Sequence, residues 1–259
     1  VPAVKRRFWF RPSVAKQIIS HPLSPFSDAV RRLKVAIDLK FEMANAAPEQ
    51  MGVVILLTSA VPAEGKTTLA LALARVYAQA DFKTLLIDAD FRKPRVHKFA
   101  GTQSQSGLAE YLRHPDKFDL PVAKDKDTEL TVLPGIQDAK QSTDGLAGSK
   151  LFSRTLQTAC QNFDVIVIDS PPVMPAADAR YLARHADVVI LTVKHASTGQ
   201  TMVRSATDAL ADAMADGAML LTVLNQYQTF QPDYDYASYH PRGSAVPAPD
   251  TRPMRPSNV

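Results

Sequence analysis

Lys66 and Thr67 close the segment Ala60-Val61-Pro62-Ala63-Glu64-Gly65-Lys66-Thr67-Thr68, a Walker A pattern that follows the apolar run from Val53 to Leu57. Residue types at this spacing bind a nucleoside triphosphate. Backbone N–H groups of the loop curl around phosphate oxygens, and the N-terminus of the next helix adds positive potential. The lysine reaches the outer phosphates and the first threonine hydroxyl ligates Mg²⁺. Two more apolar runs end in carboxylates. Val165-Ile166-Val167-Ile168-Asp169 is a Walker B pattern, whose aspartate holds Mg²⁺ or its waters. Leu85-Leu86-Ile87-Asp88-Ala89-Asp90-Phe91-Arg92 sets two aspartates two residues apart, so on an extended chain both point to one side. A single aspartate at a strand end reads equally well as a turn or helix cap. Three in one chain with a phosphate loop read as a set that handles metal and protons.

The elements that must position these groups are legible as alternating runs. Strands are expected at Val53 to Thr58, Thr84 to Ile87, Leu130 to Leu133, Val165 to Ile168, Val188 to Val193 and Met219 to Leu224. All are short, apolar and rich in β-branched residues, as strands covered on both faces are. Helices are expected at Leu69 to Ala80, Leu151 to Cys160 and Thr201 to Met214, and an amphipathic one from Ser27 to Ala44, where Val30, Leu33, Ile37 and Phe41 recur at helical spacing. The fold class is therefore α/β: a mostly parallel sheet of the P-loop NTPase kind with helices on both faces, in three layers, with its ligand at the carboxyl edge.

The 259 residues fit one such domain with tails, a basic arm over 1–23, a P-loop domain over 24–226 and a tyrosine-bearing tail over 227–259. The net charge of +4 is unevenly spread. Residues 1–16 carry Lys5, Arg6, Arg7, Arg11 and Lys16 with no acid, and the last twenty residues are basic too, which leaves the body mildly acidic. No recognition-helix pattern accompanies the basic ends, so nucleic acid is not an expected partner. A start lying near anionic lipid is the functional reading and a solvated end the plain one. Lys5-Arg6-Arg7-Phe8-Trp9-Phe10-Arg11 mixes cations with aromatics as membrane-flanking segments do, and the chain opens on Val1, so a longer native chain is expected. No run reaches the ~20 apolar residues of a membrane span. Cys160, the single cysteine, rules out an internal disulfide, fits a reducing compartment and reads as a small buried hydrophobe.

The succession Ser59 to Thr68, then Asp88-Ala89-Asp90-Phe91-Arg92-Lys93-Pro94, then Asp169-Ser170-Pro171-Pro172 resembles the bacterial tyrosine kinases of capsule and exopolysaccharide assembly. The resemblance spans about residues 24–239, and the Asp-x-Asp-x-Arg block is its most specific part. It implies an ATP-dependent autokinase with Mg²⁺, working in the cytoplasm at the inner face of the bacterial membrane and regulating polysaccharide polymerisation and export. Glu64, Gly65, Lys66, Thr67 and Thr68 would bind ATP, Lys66 on its β and γ phosphates, while Thr67, Asp88, Asp90 and Asp169 hold the metal directly or through water. Asp88 would be the base for an incoming tyrosine, whose phenol is mostly protonated at neutral pH. Asn225 matches the adenine contact of relatives and reads equally as a turn residue after a strand.

Tyr227, Tyr234, Tyr236 and Tyr239 match the family's clustered phosphoacceptors, modified in neighbouring subunits, and Asp28, Arg31 and Lys34 match its Glu-x-x-Arg-x-x-Arg subunit contact. Implied partners are further copies of the chain, a ring being one form, a transmembrane polysaccharide co-polymerase or activator segment in cis or in trans, and a cognate tyrosine phosphatase. The chain departs from the pattern in three places. Asp and Lys replace Glu and Arg in the contact motif, Asp144-Gly145-Leu146 stands where relatives have a Pro-Glu-Leu-Leu type segment, and the tail has fewer tyrosines. Two alternatives stay open, a nucleotide-binding adaptor of weak activity and a nucleotide-switched ATPase of the plasmid-partition or division-site type. The second class carries an extra lysine where this chain has Val61, and a GTPase would need Asn-Lys-x-Asp where this chain has Asn225-Gln226-Tyr227-Gln228.

Overall fold

The structure is a computed structural model that describes residues 1–2, 14–41, 51–102, 106–136, 143 and 145–227. A 3₁₀ turn at Val14–Lys16 leads into the one-turn helix α1 (Gln17–Ser20) and the long α2 (Pro25–Phe41). Then come β1 (Val53–Ser59), α3 (Lys66–Gln79), β2 (Thr84–Asp88), α4 (Val96–Ala100), α5 (Leu108–Arg113), β3 (Ala123–Lys124), β4 (Thr131–Leu133), α6 (Lys150–Asn162), β5 (Val165–Asp169), α7 (Asp178–Ala183), β6 (Val188–Lys194), α8 (Gln200–Ala211) and β7 (Met219–Asn225). The strands form one sheet in the order β3-β4-β2-β5-β1-β6-β7, parallel except where β3 meets β4.

Alternate residues of a strand face opposite sides of its sheet, and β1 shows how this divides the core. Val53, Ile55 and Leu57 pack with α2 and α3 residues such as Val30, Ile37, Leu69 and Leu73. Val54 and Leu56 belong to the opposite layer, with Phe152 and Leu156 of α6, Leu182 of α7 and Leu210 of α8. Helices thus cover both faces, and β1, β2 and β5 are buried along their whole lengths.

The differences from the sequence expectation are local. β3, a two-residue antiparallel edge, carries too little pattern to be read in advance. The five- and six-residue helices α4, α5 and α7 are equally short. α3 begins at Lys66, three residues earlier than its apolar pattern. The arm is partly built into the domain, because Ala15 and Ile18 are buried in the α2–α3 layer. Residues 42–50, Asp144 and everything from Gln228 onward lie outside the described residues.

Two polar networks fasten α3. The guanidinium of Arg75, fully buried, donates to Asp125 through Nε (3.1 Å) and Nη2 (2.7 Å), and Nη2 also reaches Asp127 at 3.2 Å. Lys16 of the arm donates to the same Asp127 at 3.0 Å. Two residues on, the Tyr77 hydroxyl donates to Asp38 of α2 at 3.0 Å.

Candidate active site

The phosphate loop, residues 60–65, joins β1 to α3 and is braced from two sides. Gly65 sits at φ 95, a left-handed conformation, and a Cβ there would lie 2.3 Å from Asn225 Nδ2, so both backbone and space demand glycine. Asn225 Nδ2 donates to the Glu64 carbonyl at 2.7 Å, and its Oδ1 accepts from Gln226 N. The carboxamide expected to face adenine therefore ties the end of β7 to the loop. Glu64 is buried. Its carboxylate accepts from Val61 N at 2.9 Å, from Lys194 N at 2.9 Å and from the Thr198 hydroxyl. That side chain holds the loop from inside through the Val61 N–H, which leaves the N–H groups of residues 63–65 for a phosphate. Thr67 and Thr68 follow in the first turn of α3, both partly exposed.

Sheet order does the rest. β1, β5 and β2 are neighbours, and Asp88 and Asp169 occupy paired positions at the ends of β2 and β5. Lys66 Nζ donates to Asp90 Oδ2 at 2.7 Å and lies 3.3 Å from the Thr67 hydroxyl and 3.6 Å from Asp169 Oδ1. The structure therefore brings Lys66, Thr67, Asp88, Asp90 and Asp169 to one edge. Asp90 Oδ1 accepts from Lys93 N at 3.1 Å, and Asp88 Oδ2 accepts from Arg95 N and Val96 N, each at 3.0 Å. Among the described residues Asp88 Oδ1 and both oxygens of Asp169 are buried without a hydrogen-bond partner.

This is an unusual charge state for a protein interior, and it moves the proton affinities. Burial raises Asp88 well above the ordinary carboxylate range, with Asp169 beside it adding to the effect. Burial pushes Asp169 up to about 6, against the opposing pull of the Lys66 ammonium. For Lys66 burial works against the charge, yet Asp169, Asp90 and Asp88 outweigh it and raise its proton affinity.

A divalent cation fits such a place. Unpartnered buried carboxylate oxygens cost free energy until a positive group meets them. Among the described residues no three His, Cys, Asp or Glu side chains are grouped to cage a metal by themselves. Mg²⁺ asks for no such cage, since it keeps several waters and takes one or two carboxylates together with substrate phosphates.

Several contributors escaped the sequence reading. Gly135, after β4, lies so close to the end of β2 that a Cβ on it would sit 2.5 Å from the Asp88 carbonyl and 3.2 Å from Asp88 Oδ1. Arg92 reaches Asp178 at the start of α7 at 3.5 Å and so links the loop after β2 to the loop after β5. A glycine beside proline at a strand end is the only hint of the first, and nothing local announces the second.

The remaining expected groups fall differently. Lys34, expected with Asp28 and Arg31 in a subunit contact, is paired with Asp38 and lies 4.8 Å over each of the Tyr77 and Phe82 rings, because α2 packs that side against α3. Asp28 pairs with Arg32 at 2.9 Å and Arg31 donates to the Pro22 carbonyl. The outward residues of α2 are Arg32, Val35, Ala36, Leu39 and Lys40. Tyr227 was expected in the flexible tail. It sits at the end of the sheet, where its N–H donates to the Val1 carbonyl at 3.0 Å and its ring meets His195 edge-on at 4.7 Å. Tyr234, Tyr236 and Tyr239 lie outside the described residues. Among the described residues no helix is long and apolar enough to cross a membrane.

Comparison with known proteins follows the same lines. The AAA-domain family matches residues 54–215. Tyrosine-protein kinase YwqD of Bacillus subtilis is 31% identical over 193 residues, which are 74% of this chain and 78% of that protein. Succinoglycan biosynthesis transport protein ExoP of Rhizobium meliloti is 29% identical over 193 residues, and there the chain spans only 24% of the relative's length. Among solved structures, the kinase domain of the Escherichia coli tyrosine kinase ETK superposes with a TM-score of 0.70 at 23% identity, over 87% of this chain and 86% of that one.

Proposed function

Because the chain belongs to the bacterial tyrosine-protein kinase family of AAA-type P-loop proteins, we propose that it transfers the γ-phosphoryl group of ATP to tyrosines of its own C-terminal segment in a neighbouring copy. The observation that carries this reading is the pairing of Asp88 with Asp169 at adjacent strand ends, with Lys66 in contact and three carboxylate oxygens without a hydrogen bond among the described residues.

The chain's own groups divide the work. Lys66 and the backbone N–H groups of residues 63–65 hold the β and γ phosphates, and α3 adds the positive end of its dipole. Thr67, Asp88, Asp90 and Asp169 would hold Mg²⁺ directly or through water, and the ion supplies charge neutralisation on the transferring group when bound. Asp88 presents one free oxygen, Oδ1, to accept the phenolic proton as the new oxygen–phosphorus bond forms and the bond to the ADP oxygen breaks. The two backbone donors on Oδ2 keep that carboxyl from turning.

The setting follows from the same family. The products would serve exopolysaccharide or capsule polymerisation and export, with assembly into an oligomer, a membrane-spanning activator, a location at the inner face of the cell membrane and a phosphatase to reset the tail. Phosphates on several tail tyrosines would repel the acidic body of a neighbour and loosen the assembly. The positioning-ATPase alternative is not better supported, since Val61 stands where that class reaches across with a lysine.

Incubation of the full chain with Mg-ATP followed by phosphotyrosine mapping tests the reading. Label on Tyr234, Tyr236 or Tyr239 that disappears in Lys66→Met is the expected result. Steady phosphate release with an unlabelled tail would overturn it in favour of a switch ATPase.

A further inference from the structure

The loop that fixes the two aspartates at the end of β2 also carries a dense run of positive charge. Arg92, Lys93, Arg95 and Lys98 are all exposed, and two of them supply the backbone N–H groups that bond the carboxylates, Lys93 to Asp90 and Arg95 to Asp88. Their side chains therefore start one residue from the reacting edge. Arg92 is engaged with Asp178. Among the described residues no ion pair joins Lys93, Arg95 or Lys98 to an acidic side chain, so this charge faces solvent.

The substrate side has the opposite charge. The tail reads Pro232-Asp233-Tyr234-Asp235-Tyr236, two tyrosines each next to aspartates. Such a segment is repelled by the site itself, where one ammonium faces three carboxylates and the triphosphate brings more negative charge than one magnesium ion removes. Long-range attraction at the rim offsets that repulsion most cheaply when it starts beside the reacting group. We propose that Lys93 and Arg95, with Lys98 behind them, form an electrostatic collar that receives the acid-flanked tyrosines Tyr234 and Tyr236 of a second copy of this chain. The collar would select acidic tyrosine segments over neutral ones. This rests on the kinase reading of the site, and the test separates the two.

The donor is the full chain with Tyr234→Phe, Tyr236→Phe and Tyr239→Phe, and the acceptor is the full chain with Lys66→Met. Reversal of the collar in the donor, Lys93→Glu with Arg95→Glu, keeps both backbone N–H groups. It is expected to raise the KM for the acceptor roughly tenfold, with kcat moving less than about twofold and Mg-ATP affinity unchanged. Neutralising the acceptor by Asp233→Asn and Asp235→Asn should raise KM for the unaltered collar and not for the reversed one. Equal effects of collar reversal on acidic and neutral acceptors would overturn the proposal. In parallel, a fluorescent peptide of residues 229–240 is titrated with Lys66→Met chains at low salt. Collar-dependent binding with no phosphate transfer in the first assay would sink the kinase reading and leave the docking standing. Binding indifferent to the collar would sink the docking whatever the enzyme does.

Discussion

Helix α3 carries two buried cations nine residues apart, and the protein treats them in opposite ways. Lys66 faces three aspartates, and three of their oxygens have no hydrogen-bond partner among the described residues. Arg75 faces Asp125 and Asp127, which Lys16 also meets, so two cations stand against two anions. Asp125 is satisfied further by Thr128 and by Asp127 N. The first cluster has surplus negative charge at the open edge of the sheet. The second has no surplus charge, although Arg75 Nη1 is buried without a hydrogen-bond partner among the described residues. Balanced buried charge is structure, whereas unbalanced buried charge marks a place for something the chain does not contain.

The sharpest way to break this contrast is to cut one member from each cluster. Arg75→Met should cost about 3–5 kcal/mol of stability, because it strands Asp125 in the core. Replacing both partners, Arg75→Met with Asp125→Leu, should recover most of that loss, since apolar pairs of similar volume often match a buried ion pair. Urea unfolding of the three proteins measures it. A double variant as unstable as the single would show that the pair does more than satisfy itself. The folded fraction of Arg75→Met should still bind Mg-ATP.

Asp169→Asn should behave in the reverse manner. The amide keeps the shape and removes a crowded carboxylate, that of Asp169, whose proton affinity burial has already raised, so the nucleotide-free protein should gain about 1 kcal/mol. Tyrosine phosphorylation should fall roughly 10²–10³-fold, the scale of losing one group that stabilises developing charge. Thermal melts without nucleotide, set beside phosphotyrosine rates, check both halves. If Asp169→Asn destabilises as Arg75→Met does, the two clusters are of one kind and the distinction fails.

The same contrast explains what the sequence made legible. The strand runs ending in Asp88 and Asp169 fall within a residue of the observed strands because both faces of the sheet are covered, which forces continuous apolar runs. The candidate site residues stand beside those runs, so the Walker patterns and the family resemblance together gathered them. Arg75 escaped the sequence reading, although it stands as a lone charge in an Ala- and Leu-rich helix. The partner lies fifty residues on, in the turn between the short edge strand β3 and its neighbour β4, and no local pattern points to it. Glu64 occupies a position the Walker pattern leaves free, so its grip on Lys194 and Thr198 is a tertiary fact. The surroundings of Lys34 are hidden from the sequence for the same reason, since only the packing of α2 on α3 decides that its side chain lies over Tyr77 and Phe82.

That α2–α3 contact offers the gentlest test, because its buried titratable group is neutral. The Tyr77 phenol donates to Asp38, and Lys34 bonds the same carboxylate while lying over the ring. Burial raises the phenol's proton affinity above the ordinary value, and the negative Asp38 raises it further. A group that keeps its proton in the folded state and loses it in the unfolded state contributes stability below the unfolded value, about pH 10, and that contribution is lost as pH rises beyond it. At pH 7 to 9 Tyr77→Phe should cost about 1 kcal/mol, one net hydrogen bond. Above pH 10 the wild-type protein should lose stability faster than the variant by up to about 1.4 kcal/mol per pH unit, so the two should meet near pH 11. Denaturant midpoints at intervals from pH 8 to pH 11 measure the gap. A gap that stays constant across the range would mean the phenol ionises as freely in the fold as outside it, and the seal between α2 and α3 would not be dry.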